Sequence, residues 1–122
     1  MSKTARVVTV LWLCLSSVTT WAACTRNEYG VFEDVACAAE AFAKADKELN
    51  EVYQQLLSRL DEQAKEKLKE TQRAWLAYIK ANVSFVYHVE GDGSAGRMVA
   101  WNQNEQATLA RIKELRSWLP RN

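Results

Sequence analysis

Between residues 33 and 118 apolar side chains recur every three or four positions, and only EGDGSAG, residues 90–96, interrupts the pattern decisively. That is the period of an α-helix with one dry face. No alternating apolar and polar run of useful length is left over, so a sheet has nothing to be built from. The interruption holds three of the chain's four glycines, which suits a connection rather than an element. Pro120 ends the pattern, because a proline cannot continue a helix.

Three amphipathic helices are expected. The first covers residues 33 to about 60, with Phe42, Ala45, Leu49, Val52, Leu56 and Leu60 at helical spacing and Asp34 placed to cap its start. The second begins near Asp61 or Glu62 and runs to about His88, on a face of Ala64, Leu68, Trp75, Ile79 and Val86, with Tyr78 and Phe85 beside it. No glycine or proline marks the junction between these two, which is either a tight turn or a kink. The third runs from about Arg97 to Trp118 on Met98, Trp101, Leu109, Ile112 and Leu115. The fold class is all-α, a small three-helix bundle. A core of that size is marginal and gains from a covalent cross-link.

The first residues follow a different logic. Lys3 and Arg6 precede the apolar run VVTVLWLCLSSV, and TTWAAC supplies a small-residue cleavage site. The expected division is a signal peptide over residues 1–22 and a helical domain over residues 23–122, periplasmic or secreted. The apolar run is short for a membrane span. Cys24, after Ala22 and Ala23, also fits lipidation, which would tether the chain to a membrane. Against that, Trp21 stands where a lipobox usually has leucine, and lipidation would orphan Cys37.

Of three cysteines, Cys14 leaves with the signal peptide, and Cys24 and Cys37 remain as an even pair in an oxidising compartment. A bridge between them would close a short loop and stabilise the domain by roughly 3 kcal/mol on the chain-entropy model.

Charge and motifs exclude several functions. The chain has 16 basic and 15 acidic side chains, and removing Lys3 and Arg6 leaves 14 against 15. No basic patch with interleaved aromatics offers a surface to nucleic acid. His88 is the only histidine and no cluster has metal-ligand spacing, so no metal or other cofactor is expected. GDGSAG is no phosphate loop, and Ser94 lacks a histidine at a suggestive spacing. No enzyme is expected.

One polar pattern stands out within ADKELNEVY, residues 45–53. Asp46, Asn50 and Tyr53 form a stripe beside the apolar one of Ala45, Leu49 and Val52. Short polar residues are poor choices for a helix interior, because they compete for backbone hydrogen bonds. The stripe is expected to border the core and meet Gln72, one turn before Trp75, and Arg111, one turn after Thr108. The expectation is a structural network that fixes helix register, with Arg111 as partner for Asp46, since a buried acid needs a cation or several donors.

CAAEAFAKADKELNEVYQQLLSRL followed by LKETQRAWLAYIKA resembles the N-terminal domain family of LprI-type lysozyme inhibitors. The resemblance runs from Cys24 to about Leu115. Its specific parts are Cys37, Ala45-Asp46, Leu49-Asn50 and Tyr53, then Gln72 to Trp75, and finally Thr108, Arg111 and Leu115. Family members often carry a second cysteine pair, and Val83 and Gln103 occupy those places here. The joint absence supports the pairing of Cys24 with Cys37.

The resemblance implies an exported protein that binds lysozyme-type muramidases and blocks them by filling the cleft. Residues 90–97 are the candidate plug, with Glu90, Asp92, Ser94 and Arg97 as binding residues on a glycine-rich backbone. Glu90, Asp92 and the acidic segment holding Glu28, Glu33, Asp34 and Glu40 would steer encounter with a basic enzyme. The alternative is a non-catalytic helical envelope module that binds another protein or a cell-wall component. Intact mass of protein purified from the cell envelope is expected to lack residues 1–22 and to be two hydrogens short of the dithiol form. Two free thiols on the native chain would rule the bridge out.

Overall fold

Asp34 starts the first helix. Its Oδ1 accepts from the Cys37 backbone N–H at 2.9 Å, and α1 (Val35–Leu57) follows. The computed structural model describes residues 23–120. The expected signal peptide, with Cys14, lies outside the described residues. After α1 the chain tightens, the N–H groups of Arg59 and Leu60 bonding back to the carbonyls of Leu56 and Leu57. Asp61 then caps α2 (Glu62–Glu90), its Oδ1 accepting from Ala64 N–H at 2.8 Å. The junction is therefore a short turn that an aspartate cap can make without glycine or proline.

The connection from α2 to α3 (Ser94–Ser117) is only residues 91–93, shorter than the glycine-rich stretch suggested. Gly91 leaves α2 at φ +80°, a conformation that favours glycine. Residues 94–96 belong to the first turn of α3. Gly96 is buried there because that turn lies directly on the end of α2. A Cβ at this position would overlap the Gly91 carbonyl oxygen and come within 2.9 Å of its carbon.

α3 packs against both other helices. The core is Leu49, Val52 and Leu56 of α1 with Ile112 and Leu115 of α3, closed over by Tyr53, Leu60, Leu68, Trp75 and Leu119. Near the other end Phe42 meets Trp101, ring centroids 5.3 Å apart. Facing two neighbours, α3 buries a wider arc than one amphipathic stripe. Ala100, Asn104, Thr108 and Arg111 are inside it, while Leu109, expected on the apolar face, is 38% exposed. α2 is the opposite case: Val86 is its only buried residue.

The segment before α1 folds back on itself. Asn27 Oδ1 accepts from the N–H groups of Tyr29 and Val31, and Arg26 pairs antiparallel with Phe32. The expected disulfide is present, joining Cys24 to Cys37 with 5.5 Å between Cα atoms. Among the described residues, no helix is long and apolar enough to cross a membrane.

Gly96→Ala tests the α2–α3 contact. Intrinsic helix propensity favours alanine by about 1 kcal/mol, but forcing a methyl into packed backbone costs about 1–3 kcal/mol or more. The expected outcome is a net loss of stability, read as a lower denaturant midpoint. A midpoint at or above wild type would show that the two ends do not touch.

Candidate functional site

The polar stripe on α1 does not reach Arg111. Asp46, Asn50 and Tyr53 line a groove of roughly 500 Å³ opposite Gln72, Arg73 and Leu76 of α2. Asp46 and Tyr53 are half-buried and Asn50 is exposed. On the groove's wall Lys69 bonds Glu66 at 2.6 Å. That hydrogen bond, with the attraction between the charges, holds the Glu66 carboxyl below its ordinary range and raises the Lys69 ammonium.

Arg111 is buried at the α2–α3 junction instead. Its Nε donates to Gln72 Oε1 at 3.1 Å, Nη2 to Thr71 Oγ1 at 3.1 Å, and Nη1 to Glu114 Oε2 at 2.8 Å. The expected Asp46–Arg111 pair is thus replaced, because a carboxylate one turn ahead on its own helix and two polar groups of α2 already hold the guanidinium. Gln72 and Arg111 do meet. Trp75 packs on the core, and Thr108 is fully buried with no hydrogen-bond partner for its hydroxyl among the described residues.

A second buried charge was not anticipated. Glu105 is buried midway along α3. Arg26 grips it with two nitrogens: Nη1 donates to Oε2 at 2.9 Å, and Nη2 donates to Oε1. Nη1 also donates to the Gly30 carbonyl at 2.8 Å, and the guanidinium lies 4.2 Å from the centroid of the Phe32 ring. The hydrogen bond to Glu105 raises the Arg26 pKa further, against the opposing pull of burial.

One turn away, Asn102 treats Phe32 as a strand would. Its Oδ1 accepts from the Phe32 N–H and its Nδ2 donates to the Phe32 carbonyl, both at 2.8 Å. Asn102 falls four residues after Met98, and Glu105 four after Trp101, on a face expected to be apolar. Polar groups so placed signal a required partner, but Arg26 and Glu105 are 79 positions apart and nothing local names it.

The four candidate binding residues do sit together. Glu90, Asp92, Ser94 and Arg97 are all exposed, from the end of α2 to the first turn of α3. Arg97 Nη1 lies 3.4 Å from the Asp92 carbonyl oxygen, a weak donation that stays within the turn. Phe42 and Trp101 touch, each seven residues into its helix, so the starts of α1 and α3 lie at one level. That sets the exposed Glu33 and Asp34 at the same end of the bundle as Glu90 and Asp92.

Among known protein families, a model described as "Lysozyme inhibitor LprI" matches residues 23–115. No curated protein and no solved structure matches the chain significantly.

The Arg26–Glu105 pair predicts an asymmetry. Arg26→Ala strands a carboxylate that is 5% exposed, at a cost of about 2–4 kcal/mol, toward the lower end of the range for a broken buried pair. Glu105→Ala strands an arginine that is 35% exposed and turns to water, so the loss is about 1–2 kcal/mol. Adding Glu105→Gln to Arg26→Ala recovers part of the larger loss. Equal losses in urea denaturation would place the carboxylate in solvent.

Proposed function

Since the chain belongs to the LprI lysozyme inhibitor family, we propose that it binds a lysozyme-type muramidase and blocks it by seating the α2–α3 end of the bundle in the enzyme's cleft. The observation that carries this reading is the build of that end. Two helices meet through three residues, the first turn of α3 is braced against the Gly91 carbonyl, and Glu90, Asp92, Ser94 and Arg97 project from it. A tip already held in one shape loses little conformational entropy on entering a cleft, which favours affinity. Glu33 and Asp34 at the same end add negative charge that speeds encounter with a basic enzyme. The mechanism is occupancy and needs no catalytic group.

We place this activity outside the cytoplasm, in a mature domain that starts at residue 23 after loss of the signal peptide. The Cys24–Cys37 disulfide supports an oxidising compartment. The family match beginning at residue 23 supports that boundary.

The test is inhibition of purified muramidases. Glu90→Ala with Asp92→Ala is expected to weaken inhibition by roughly tenfold and to flatten its dependence on salt, as loss of steering charges does, with helicity unchanged. Inhibition that survives these changes would move the contact to the acidic residues before and within early α1. No inhibition of any muramidase type by wild type would leave a helical envelope module with another partner.

A further inference from the structure

α2 changes character halfway along. Residues 62–73 carry seven charged side chains, and residues 74–89 carry one, Lys80. One side of the second half is nevertheless exposed. Tyr78, Phe85 and Val89 are 59%, 63% and 58% exposed. Ala74, Ala77, Ala81 and Ser84, small residues on the same outward side, are exposed as well. At 100° per residue these seven share an arc of about 140°. His88 also falls within it, and no Lys, Arg, Asp or Glu does. A solvated helix face normally carries charge, and a charge-depleted face with exposed aromatics is the composition of an interface core.

The geometry points to a second copy of this chain as the occupant, with the two α2 helices antiparallel across a two-fold axis at Ala81. In that register Phe85 of one copy lies over Ala77 of the other, Tyr78 over Ser84, and His88 over Ala74. Phe85, Tyr78 and His88 each face a small residue, Val89 falls over Arg73 at the edge of the strip, and Ala81 faces itself where the backbones come closest. The strip is therefore its own complement in shape, as an isologous interface requires. Without formal charge opposite itself, it sets up no repulsion between copies and offers a charged foreign protein no electrostatic match. The strip is about 24 Å long and about 10 Å wide, roughly 240 Å² in projection on each copy, which puts the pair at the low end of interface size, among weak and transient contacts. The dimer is accordingly weak and reversible, and independent of which target the protein blocks.

Sedimentation equilibrium of the purified protein is expected to show twice the monomer mass at high micromolar concentration. Ala81→Glu or Phe85→Glu, with helicity retained, is expected to weaken dimerisation at least roughly tenfold by setting like charges or a bare carboxylate in the interface. Ala81→Cys is expected to cross-link rapidly into a covalent dimer under mild oxidation, and Gln63→Cys on the charged half is not. A wild-type chain that stays monomeric throughout, or Ala81→Cys that cross-links no faster than Gln63→Cys, would overturn the proposal. So would a monomeric chain whose strip is protected only when a muramidase is added.

Discussion

A carboxylate in the middle of a helix-packing face is tolerable only if a cation comes to it, and Glu105 imposes that condition on the whole chain. The cation is Arg26, and bringing it there draws the segment before α1 across α3. Once that segment lies on α3, Asn102 satisfies both backbone groups of Phe32, and the Cys24–Cys37 bridge ties the same segment to α1. Arg111 does for α2 what Glu105 does for the N-terminal segment, by bonding Thr71 and Gln72. Leucine and isoleucine alone would tolerate a helix sliding by a turn. Sliding α2 by a turn here would leave a buried guanidinium short of two acceptors, a loss of the order of 1–3 kcal/mol. The buried polar groups of α3 thus select register, while the cluster around Leu49 and Leu115 supplies the apolar burial.

This division of labour explains the stripe of Asp46, Asn50 and Tyr53. α3 takes the closest packing from both neighbours, so α1 and α2 meet over a groove rather than a sealed seam. A half-buried acid facing a groove keeps water and needs no salt bridge. The α2–α3 end is held differently. Near it, Asn82 Nδ2 donates to Gln103 Oε1 at 2.9 Å across an exposed surface. The backbone contact between Gly91 and Gly96 leaves no room for a Cβ, which is why glycine is required at a buried helical position where alanine would otherwise be preferred.

The helices, the cap at Asp34, the start of α2 and the disulfide were legible in the sequence, because each depends on neighbours within a turn or on a count of cysteines. The α2–α3 connection was overestimated. Glycine announces a loop when it serves backbone flexibility, yet Gly96 serves packing, and only the fold distinguishes the two uses. The partner of Arg111 was half legible: spacing put Gln72 beside it, but the choice between Asp46 and Glu114 depended on which helix pair packs closest. Arg26 and Glu105 were invisible as a pair, because α1 and α2 separate them and no local rule joins an exposed arginine to an acid so far along the chain. The face of α3 was misplaced for a related reason. Periodicity finds one stripe, and a helix with two neighbours has two.

The two halves of α2 meet different requirements. In its first half, pairs such as Glu62 with Lys65 and Glu66 with Lys69 span successive turns on the surface and help to hold a helix that buries little. Its second half lacks such pairs, and its helicity leans on α3 at Val86 and on whatever covers the outward strip. A two-fold axis through Ala81 would point the two α2–α3 ends in opposite directions along the paired helices. In the register about Ala81, Glu90 would lie level with Gln72 of the other copy, whose α2 runs on past the tip toward Glu62. Dimerisation and occlusion of a cleft therefore use different residues of the same helix but adjacent space.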